Sequence, residues 1–115
     1  MAQRISSELW VQAYLRQCRL NGSFGYLARR GAAEAGAIFV KIIVAGGSAS
    51  LYGPAPQTEL SGEADGRDSR LFELILDADE EQIEARLSRE RGFDPDIWIV
   101  EIEDAAGNHH LPLAV

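Results

Sequence analysis

The sequence predicts an α+β fold, in which two helices pack on a mixed, mainly antiparallel sheet of five to six strands. Three observations support this prediction. An amphipathic segment opens the chain, a hairpin with a Gly-Gly turn lies near its middle, and a strand–helix–strand unit occupies residues 70–104. Because 115 residues is the size of one domain, we expect residues 1–115 to form a single domain.

The first helix is predicted to begin after a serine cap at Ser6 or Ser7 and to end near Asn21, before Gly22. Apolar side chains recur there at spacings of three and four residues, which places them on one helix face. They are Trp10, Val11, Tyr14, Leu15 and Cys18. We expect this wide stripe to cover the sheet, with Trp10 as its largest anchor.

Three strands and a long loop are predicted next. Residues 24–30 predict a first strand, and residues 37–44 predict the strongest strand of the chain. The Gly46-Gly47 pair favours a tight turn, because glycines adopt the positive φ angles that hairpin turns require. The chain is therefore expected to return as a third strand at residues 49–52. Residues 54–69 predict a long loop, which is either mobile or functional.

The unit at residues 70–104 contains two predicted strands, 70–76 and 97–103, on either side of a helix. Two capping patterns mark the start of the helix: Asp77 with Glu80, and Asp79 with Gln82. Gly92 is expected to end it. This second helix has only a narrow apolar stripe. Residues 109–113 are a candidate for a short sixth strand, and the sequence leaves open whether it forms.

The stretch LFELILDADEEQIEARLSRERGFDPDIWIVEIED, residues 71–104, is similar to the C-terminal signature of a small family of proteins. That family is mostly alphaproteobacterial and is catalogued as a domain of unknown function. The similarity extends more loosely to the whole chain. The resemblance implies a compact α+β domain in the cytoplasm, and it implies no activity, cofactor or catalytic residue.

The charge of the chain narrows the classes of partner. A net charge of −7 argues against a general nucleic-acid-binding protein, since phosphate contacts need basic surface. Residues 1–55 carry six basic and two acidic residues, whereas residues 56–115 carry five basic and sixteen acidic residues. This asymmetry either marks a surface for a charged partner or reflects helix capping and loop solvation.

The expected compartment is the cytoplasm, without membrane contact. Cys18 is the single cysteine, so no intramolecular disulfide can form and a reducing compartment fits. The first ten residues lack the apolar core of a signal peptide, and no apolar run approaches the length of a membrane span.

Catalytic and metal-binding motifs are absent from the sequence. It has no CxxC, HExxH or GxSxG pattern, and the Gly46-Gly47 pair does not precede a helix that could hold a phosphate. His109 and His110 face opposite ways if they lie on a strand, so they are poor partners for one metal. We expect no metal and no cofactor, and we leave open whether the chain is an enzyme.

Alternation along the predicted strands divides the sheet into two different faces. The nearly all-apolar face is predicted to contain Ile38, Val40, Ile42, Val44, Phe72, Leu74, Leu76, Trp98, Val100 and Ile102. The opposite face mixes apolar and charged side chains, among them Phe39, Lys41, Glu73, Ile99 and Glu101. Such a mixed face suits a partner interface or a shallow pocket. The alternative is cross-strand pairing of Lys41 with Glu73 or Glu101, beneath the second helix.

Three functional hypotheses follow, and the first is a non-catalytic protein-interaction module, with self-association as one form of it. Its contacts would be Trp10 on the first helix and Phe39 and Ile99 on the mixed face. This hypothesis depends on the missing catalytic motifs and on the surplus of apolar positions.

The second hypothesis is a small ligand-binding protein or enzyme that uses Lys41, Glu73 and Glu101 in one concave site. The third is a contact with RNA or with an acidic partner through N-terminal arginines, which would have to cluster in space. These arginines are Arg16, Arg19, Arg29 and Arg30.

Overall fold

The structure, a computed structural model, describes residues 5–56 and 70–114. Its elements in chain order are α1 (Ser7–Leu20), β1 (Phe24–Arg29), β2 (Ile38–Ile43), β3 (Ser48–Pro54), β4 (Phe72–Asp79), α2 (Glu80–Phe93) and β5 (Trp98–Glu103). The predicted α+β fold is confirmed. The predicted long loop falls mostly on residues 57–69, which lie outside the described residues.

The five strands form one sheet in the order β1-β5-β2-β3-β4. Only β2 and β5 are parallel, and the other three pairs are antiparallel, so the sheet is mixed and mainly antiparallel. The strands on either side of α2, β4 and β5, are separated by β2 and β3. α2 therefore passes over one face of the sheet to connect β4 with β5. Within the described residues, neither helix is long and apolar enough to cross a membrane.

α1 begins where the serine signal indicated, since the Ser6 side chain accepts a hydrogen bond from the Leu9 amide and caps the helix. Its apolar stripe packs on one face of the sheet. The cluster there joins Val11, Tyr14 and Cys18 of α1 to side chains of β2, β4 and β5. Those side chains are Ile38, Val40, Ile42, Phe72, Trp98, Val100 and Ile102. The predicted apolar face is therefore mostly present.

β4 departs from strict alternation at one position. Tyr52 of β3 pairs with Leu74, whereas the preceding residue, Leu51, pairs with Leu76. Ile75 is thus an extra residue in β4, and such a bulge reverses the faces of the residues that follow it. Leu76 packs with Leu51 on the α2 side of the sheet. The prediction that placed Leu76 on the same face as Leu74 is wrong for this reason.

α2 uses the second of its two capping patterns, because the Asp79 side chain accepts a hydrogen bond from the Gln82 amide at 2.9 Å. The helix continues through Gly92 and ends at Phe93, so the prediction that Gly92 ends it is wrong. Gly92 has a negative φ and supplies no left-handed turn. The chain leaves the helix through Asp94 in an extended conformation instead.

The candidate sixth strand is not formed. Residues 109–113 contribute a single parallel bridge, between Leu113 and Phe72. His110 has a φ of 57°, which interrupts any extended run through this segment. The segment still covers the sheet, because Leu111 is buried in the α1-side cluster and the Tyr14 hydroxyl donates a hydrogen bond to the His109 carbonyl.

Candidate functional site

Lys41 lies in the centre of the sheet, on the side that faces α2, and its side chain is only 3% exposed. Its Nζ is 2.7 Å from Glu84 Oε2, 3.1 Å from Glu80 Oε1 and 4.0 Å from Glu101 Oε1. Burial lowers the pKa of Lys41, but the hydrogen bonds to Glu84 and Glu80 outweigh burial and hold this pKa above its ordinary value. The ammonium is therefore charged at neutral pH and is not a nucleophile or a base.

The three residues of the second hypothesis are only partly brought together. Lys41 and Glu101 lie on neighbouring strands and form a long ion pair. Glu73 is exposed on β4, opposite Gly53, and is not among the ion-pair partners of Lys41. The glutamates that hold Lys41 most closely, Glu80 and Glu84, come from α2. They stand one turn apart, so this cluster ties the helix to the sheet.

The apolar residues of the mixed face are covered by α2. Phe39 is 6% and Ile99 is 7% exposed, and both pack in a cluster with Ile83 and Leu87 of the helix. They do not form an exposed contact surface. Trp10 is half-buried on the other side of the sheet, where its ring stacks on Tyr14 at a centroid distance of 5.0 Å and contacts Phe72 in a tilted arrangement at 5.1 Å.

The four N-terminal arginines do not form one patch. Arg16 and Arg19 are exposed on the C-terminal half of α1. Arg30 pairs with Glu8 in the first turn of the same helix, and its guanidinium lies 5.2 Å from the centre of the Trp98 ring. Arg29 donates a hydrogen bond to the Ile97 carbonyl at 2.9 Å. These arginines therefore divide between the two ends of α1.

β1 is an edge strand that exposes two aromatic side chains, Phe24 at 66% and Tyr26 at 44%. They pair with Glu103 and Glu101 of β5 and so lie on the α2 side of the sheet. α2 packs over β2, β3 and the start of β5, which leaves this corner of the sheet uncovered. Among the described residues, no strand pairs with the outer edge of β1.

The two ends of the β1 edge carry opposite charges. Arg29 and Arg30 lie at its C-terminal end, whereas Glu103 and Asp104 lie beside its N-terminal end. Asp104 accepts a hydrogen bond from the Ser23 hydroxyl at 2.5 Å, which lowers the pKa of its carboxyl below the ordinary value. The sequence predicted the strand, but only the strand order shows that β1 is an edge.

The hydroxyl of Tyr26 is part of the same surface. It donates a hydrogen bond to Glu101 Oε1 at 2.7 Å, and this bond raises the pKa of Tyr26 above its ordinary value. Because Glu101 also faces Lys41, the exposed corner is connected through one carboxylate to the ion-pair cluster beneath α2.

A cavity of about 440 Å³ lies between the N-terminal end of α1, the start of β2 and the neighbouring ends of β3 and β4. Ile38 and Phe72 form part of its apolar wall, and Ser7 and Arg70 supply polar groups. Arg70 Nη2 lies 3.4 Å from the Ser7 hydroxyl oxygen. Sequence analysis missed this site because its polar residues are 63 positions apart and match no motif.

The structure offers little else for metal or thiol chemistry. Within residues 5–56 and 70–114, no group of three or more His, Cys, Asp or Glu side chains is placed to hold a metal ion. Cys18 is fully buried in the α1-side cluster, and burial raises the pKa of its thiol. The thiolate that would be needed for nucleophilic attack is disfavoured there.

Comparison with known proteins identifies relatives of the whole chain. A family model described as "Protein of unknown function (DUF1491)" matches residues 5–112. The chain is 32% identical to a DUF1491 family protein from Caulobacter crescentus in a crystal structure, with a TM-score of 0.79. That match covers 98% of this chain and 100% of the Caulobacter chain.

A second relative is a protein from A. tumefaciens with a solution structure. It is 41% identical, with a TM-score of 0.82, and the match covers 97% of this chain and 96% of that one. No curated protein matches the chain. The predicted resemblance to an alphaproteobacterial family of unknown function is confirmed.

Proposed function

Because the chain belongs to the DUF1491 family, whose description assigns no activity, we propose a function from its own surface. We propose that it is a non-catalytic protein-interaction module that self-associates through β1. In this dimer, β1 of one copy pairs antiparallel with β1 of a second copy across a two-fold axis. The observation that carries the proposal is the exposed β1 edge with Phe24 and Tyr26 beside it.

The backbone of β1 supports pairing with another strand. An edge strand presents unpaired N–H and C=O groups along one side, and proteins usually protect such edges with charged inward-facing residues, proline or a covering segment. β1 reads FGYLAR, with no proline and with its one charged residue at the end of the strand. The outer edge is therefore suited to accept a second strand.

The side chains of β1 favour a second copy of the same chain as the partner. The register of β1 shifts between Leu27 and Arg29, so Arg29 lies on the same face as Phe24. Antiparallel pairing centred on Tyr26 places Arg29 of one copy opposite Phe24 of the other, where Glu103 is the next residue inward on the same face. Arg29 of one copy lies two strands away from Glu103 of the other. Neighbouring strands are about 4.8 Å apart, so the backbones of these two residues are about 10 Å apart. Extended side chains span that distance, and two-fold symmetry forms the contact twice.

The contacts of the titratable side chains support a non-catalytic role. Lys41 and its glutamates tie α2 to the sheet, and Cys18 is a buried thiol. These titratable groups serve packing and do not line a shared cavity. The lone cysteine also supports a reducing compartment, and the proposal therefore includes the cytoplasm.

Sedimentation equilibrium over a range of protein concentrations tests the proposal directly. We expect a monomer–dimer equilibrium with a dissociation constant in the micromolar range, on the order of that of other small interfaces. The variant Phe24→Asp places a charge on the edge and is expected to weaken the dimer about tenfold or more. The matched control is Phe93→Asp, since Phe93 is also an exposed phenylalanine, at 81%, but lies at the end of α2.

A chain that stays monomeric at all concentrations up to about 1 mM would contradict self-association. Equal weakening by Phe24→Asp and Phe93→Asp would contradict the assignment to β1. Binding of an extended segment from another protein at β1, by a chain that is itself monomeric, would also overturn the choice of a second copy.

Charge reversal tests the antiparallel alignment. Glu103→Arg is expected to weaken the dimer, because it places a second positive group near Arg29 of the other copy. The double variant Arg29→Glu/Glu103→Arg is expected to restore the dimer, because it re-forms the pair with exchanged signs. Melting temperatures check that both variants stay folded, since Arg29 also bonds the Ile97 carbonyl. Failure of the folded double variant to restore association argues against this alignment.

A further inference from the structure

Residues 109–114, which we call the C-terminal strap, lie across the α1 side of the sheet and contain both histidines of the chain. We propose that the strap is a pH-sensitive closure, which stays on the sheet while His109 is neutral and is released when His109 is protonated. The contacts that carry this inference are with α1, β3 and β4. The inference therefore does not depend on dimer formation at the β1 edge.

A small set of contacts attaches the strap to the rest of the molecule. Leu111 is its apolar anchor, 7% exposed in the α1-side cluster. The His109 carbonyl accepts a hydrogen bond from the Tyr14 hydroxyl at 2.6 Å. At the other end, the backbone of Phe72 in β4 donates a hydrogen bond to one strap carbonyl and accepts one from a strap amide, each at 2.8 Å. This attachment is small in comparison with the strand ladders, so the strap can open while the sheet stays folded.

The imidazole of His109 fixes the turn inside the strap. Its Nδ1 accepts a hydrogen bond from the Leu111 amide at 2.9 Å, so this nitrogen carries no proton in the closed strap. Protonation places an N–H on Nδ1, which then cannot accept. The amide of the buried Leu111 loses its partner and faces a second donor, which is costly. The closed strap therefore requires a neutral His109.

The surroundings of the His109 ring also favour its neutral form. The ring is half-buried, and its centre lies 4.8 Å from the centre of the Tyr52 ring. Burial, together with a smaller contribution from His110, lowers the pKa of His109 below its ordinary value of 6.5. No ion pair to His109 is present among the residues that the structure describes.

Titratable groups on the elements around the strap do not reverse this effect. Three of them are neutral at neutral pH because their pKa values are raised, namely Tyr14, Cys18 and Tyr52. The two carboxylates that act on these groups, Asp77 and Asp104, each accept a hydrogen bond from a serine hydroxyl. Neither carboxylate offsets the lowering of the pKa of His109.

The open strap binds a proton more tightly than the closed strap, because an exposed imidazole has its ordinary pKa and the closed strap lowers it. Closure is therefore most stable above pH 6.5 and is weakened as pH falls through the lowered pKa of His109. Each unit between the two pKa values makes closure about tenfold less favourable at low pH.

His110 makes the closed strap easier to open. Its φ of 57° lies in the left-handed region, which few non-glycine residues adopt. Its Nε2 is buried and has no hydrogen-bond partner in the described part of the chain, which costs free energy. Opening relieves both costs, so they reduce the free energy that protonation of His109 has to supply.

Amide hydrogen exchange, measured by NMR on the whole chain, tests the proposal. The reporters are the amides of Leu111, Phe72 and Ala114, whose hydrogen bonds exist only in the closed strap. We expect their protection factors to fall about tenfold or more between about pH 7.5 and about pH 5, while Val40 in the centre of the sheet keeps its protection. Unchanged protection at the reporters, or an equal loss at Val40, would overturn the proposal.

Two matched substitutions assign the effect to one histidine. His109→Asn keeps a side-chain acceptor close to the position of Nδ1 but does not titrate, so we expect protection of the strap amides that no longer depends on pH. His110→Asn is expected to retain the pH response, since asparagine tolerates the left-handed conformation at this position. The same response in both variants, or the reverse pattern, would contradict the assignment to His109.

A second pair of substitutions tests the attachment at constant pH. Leu111→Ala removes the anchor and is expected to lower the protection of the Ala114 amide about tenfold or more at about pH 7.5. Leu113→Ala, at a position that is 42% exposed, is the matched control and is expected to leave this protection nearly unchanged. Equal losses in the two variants would show that Leu111 does not hold the strap.

Discussion

The two faces of the sheet are covered by helices of equal length, 14 residues each, but the two contacts are chemically different. α1 buries Val11, Tyr14 and Cys18 in a broad apolar cluster. α2 buries only Ile83 and Leu87. Its other main contact with the sheet is the ion pairing of Glu80 and Glu84 with Lys41.

The difference shows how a very polar helix can be held on a sheet. Each large apolar side chain that is buried contributes about 1.5 to 3 kcal/mol, and a typical exposed ion pair contributes about 0 to 1 kcal/mol. On α2 the ion pairs have a further role, because Lys41 lies in the sheet and would otherwise be a buried charge with Glu101, 4.0 Å away, as its counter-ion. The α1 side therefore carries more of the apolar stability, and the α2 side is sensitive to charge.

The largest expected effect is on the α1 side. Trp98 is 1% exposed in that cluster, and its Nε1 donates a hydrogen bond to the Ala32 carbonyl at 2.7 Å. Trp98→Ala is expected to lower the free energy of unfolding by about 3 to 5 kcal/mol, because it leaves a large cavity. Leu87→Ala on the α2 side is expected to cost about 2 to 3 kcal/mol. Urea denaturation measures both, and a larger loss at Leu87 would contradict the comparison.

The next effect concerns the charges on the α2 side. Glu80→Gln/Glu84→Gln leaves Lys41 buried with Glu101 as its remaining partner, 4.0 Å away. We expect a loss of about 2 to 3 kcal/mol in the free energy of unfolding, since an uncompensated buried charge is costly. Glu81→Gln is the matched control, because Glu81 lies in the same first turn and is not among the ion-pair partners of Lys41.

The converse substitution is expected to cost less. Lys41→Met removes the buried charge and leaves Glu80 and Glu84, which are 48% and 57% exposed, free to regain water. We expect a change of less than about 1 kcal/mol. An equal loss of unfolding free energy in Lys41→Met and in the double glutamate variant would contradict this expectation. It would show that the ion pairs stabilise the fold beyond neutralising the buried charge of Lys41.

A smaller effect is expected in alkaline solution. The pKa of Lys41 in the folded chain is raised above its ordinary value of 10.5, so its stabilising contribution is complete below that pH and is lost as pH rises through the folded pKa. Tyr14 acts in the same direction, because burial raises its pKa above 10.0. Denaturation midpoints above pH 10.5 should therefore fall less steeply for Lys41→Met than for the unaltered chain. Identical slopes would show that Lys41 does not contribute.

The smallest effect is a stabilisation of α2. Gly92 lies within the last turn, and a Cβ built on it meets no atom within 4 Å. Gly92→Ala is expected to raise the free energy of unfolding by about 0.5 to 1 kcal/mol, because alanine has the higher helix propensity. Thermal melting checks the sign, and a lower melting temperature would show that the end of α2 needs glycine.

Local signals in the sequence predicted most of the elements. The serine at the start of α1, the Gly46-Gly47 turn and the Asp79 cap each act within a few residues, so they can be interpreted without a partner segment. Gly92 misled the prediction because a glycine near a helix end is a common stop signal but not an obligatory one. Leu76 misled it because a bulge depends on how β3 and β4 pair.

The candidate sites were predicted less well, because each is built from distant parts of the chain. The mixed face was recognised, but α2 covers Phe39 and Ile99, and the glutamates that hold Lys41 most closely come from the helix and not from Glu73. Whether β1 is an edge depends on strand order, which the sequence of β1 does not contain.

The sequence by itself determined the α+β class, the wide stripe of α1, the narrow stripe of α2 and the family to which the chain belongs. These properties follow from periodicity, capping and similarity along the chain. Only the tertiary structure decided which strand lies at the edge, which carboxylates reach Lys41, and that Ser7 and Arg70 meet at one cavity. The physical reason is that strand pairing and the crossing of α2 over the sheet bring together residues dozens of positions apart.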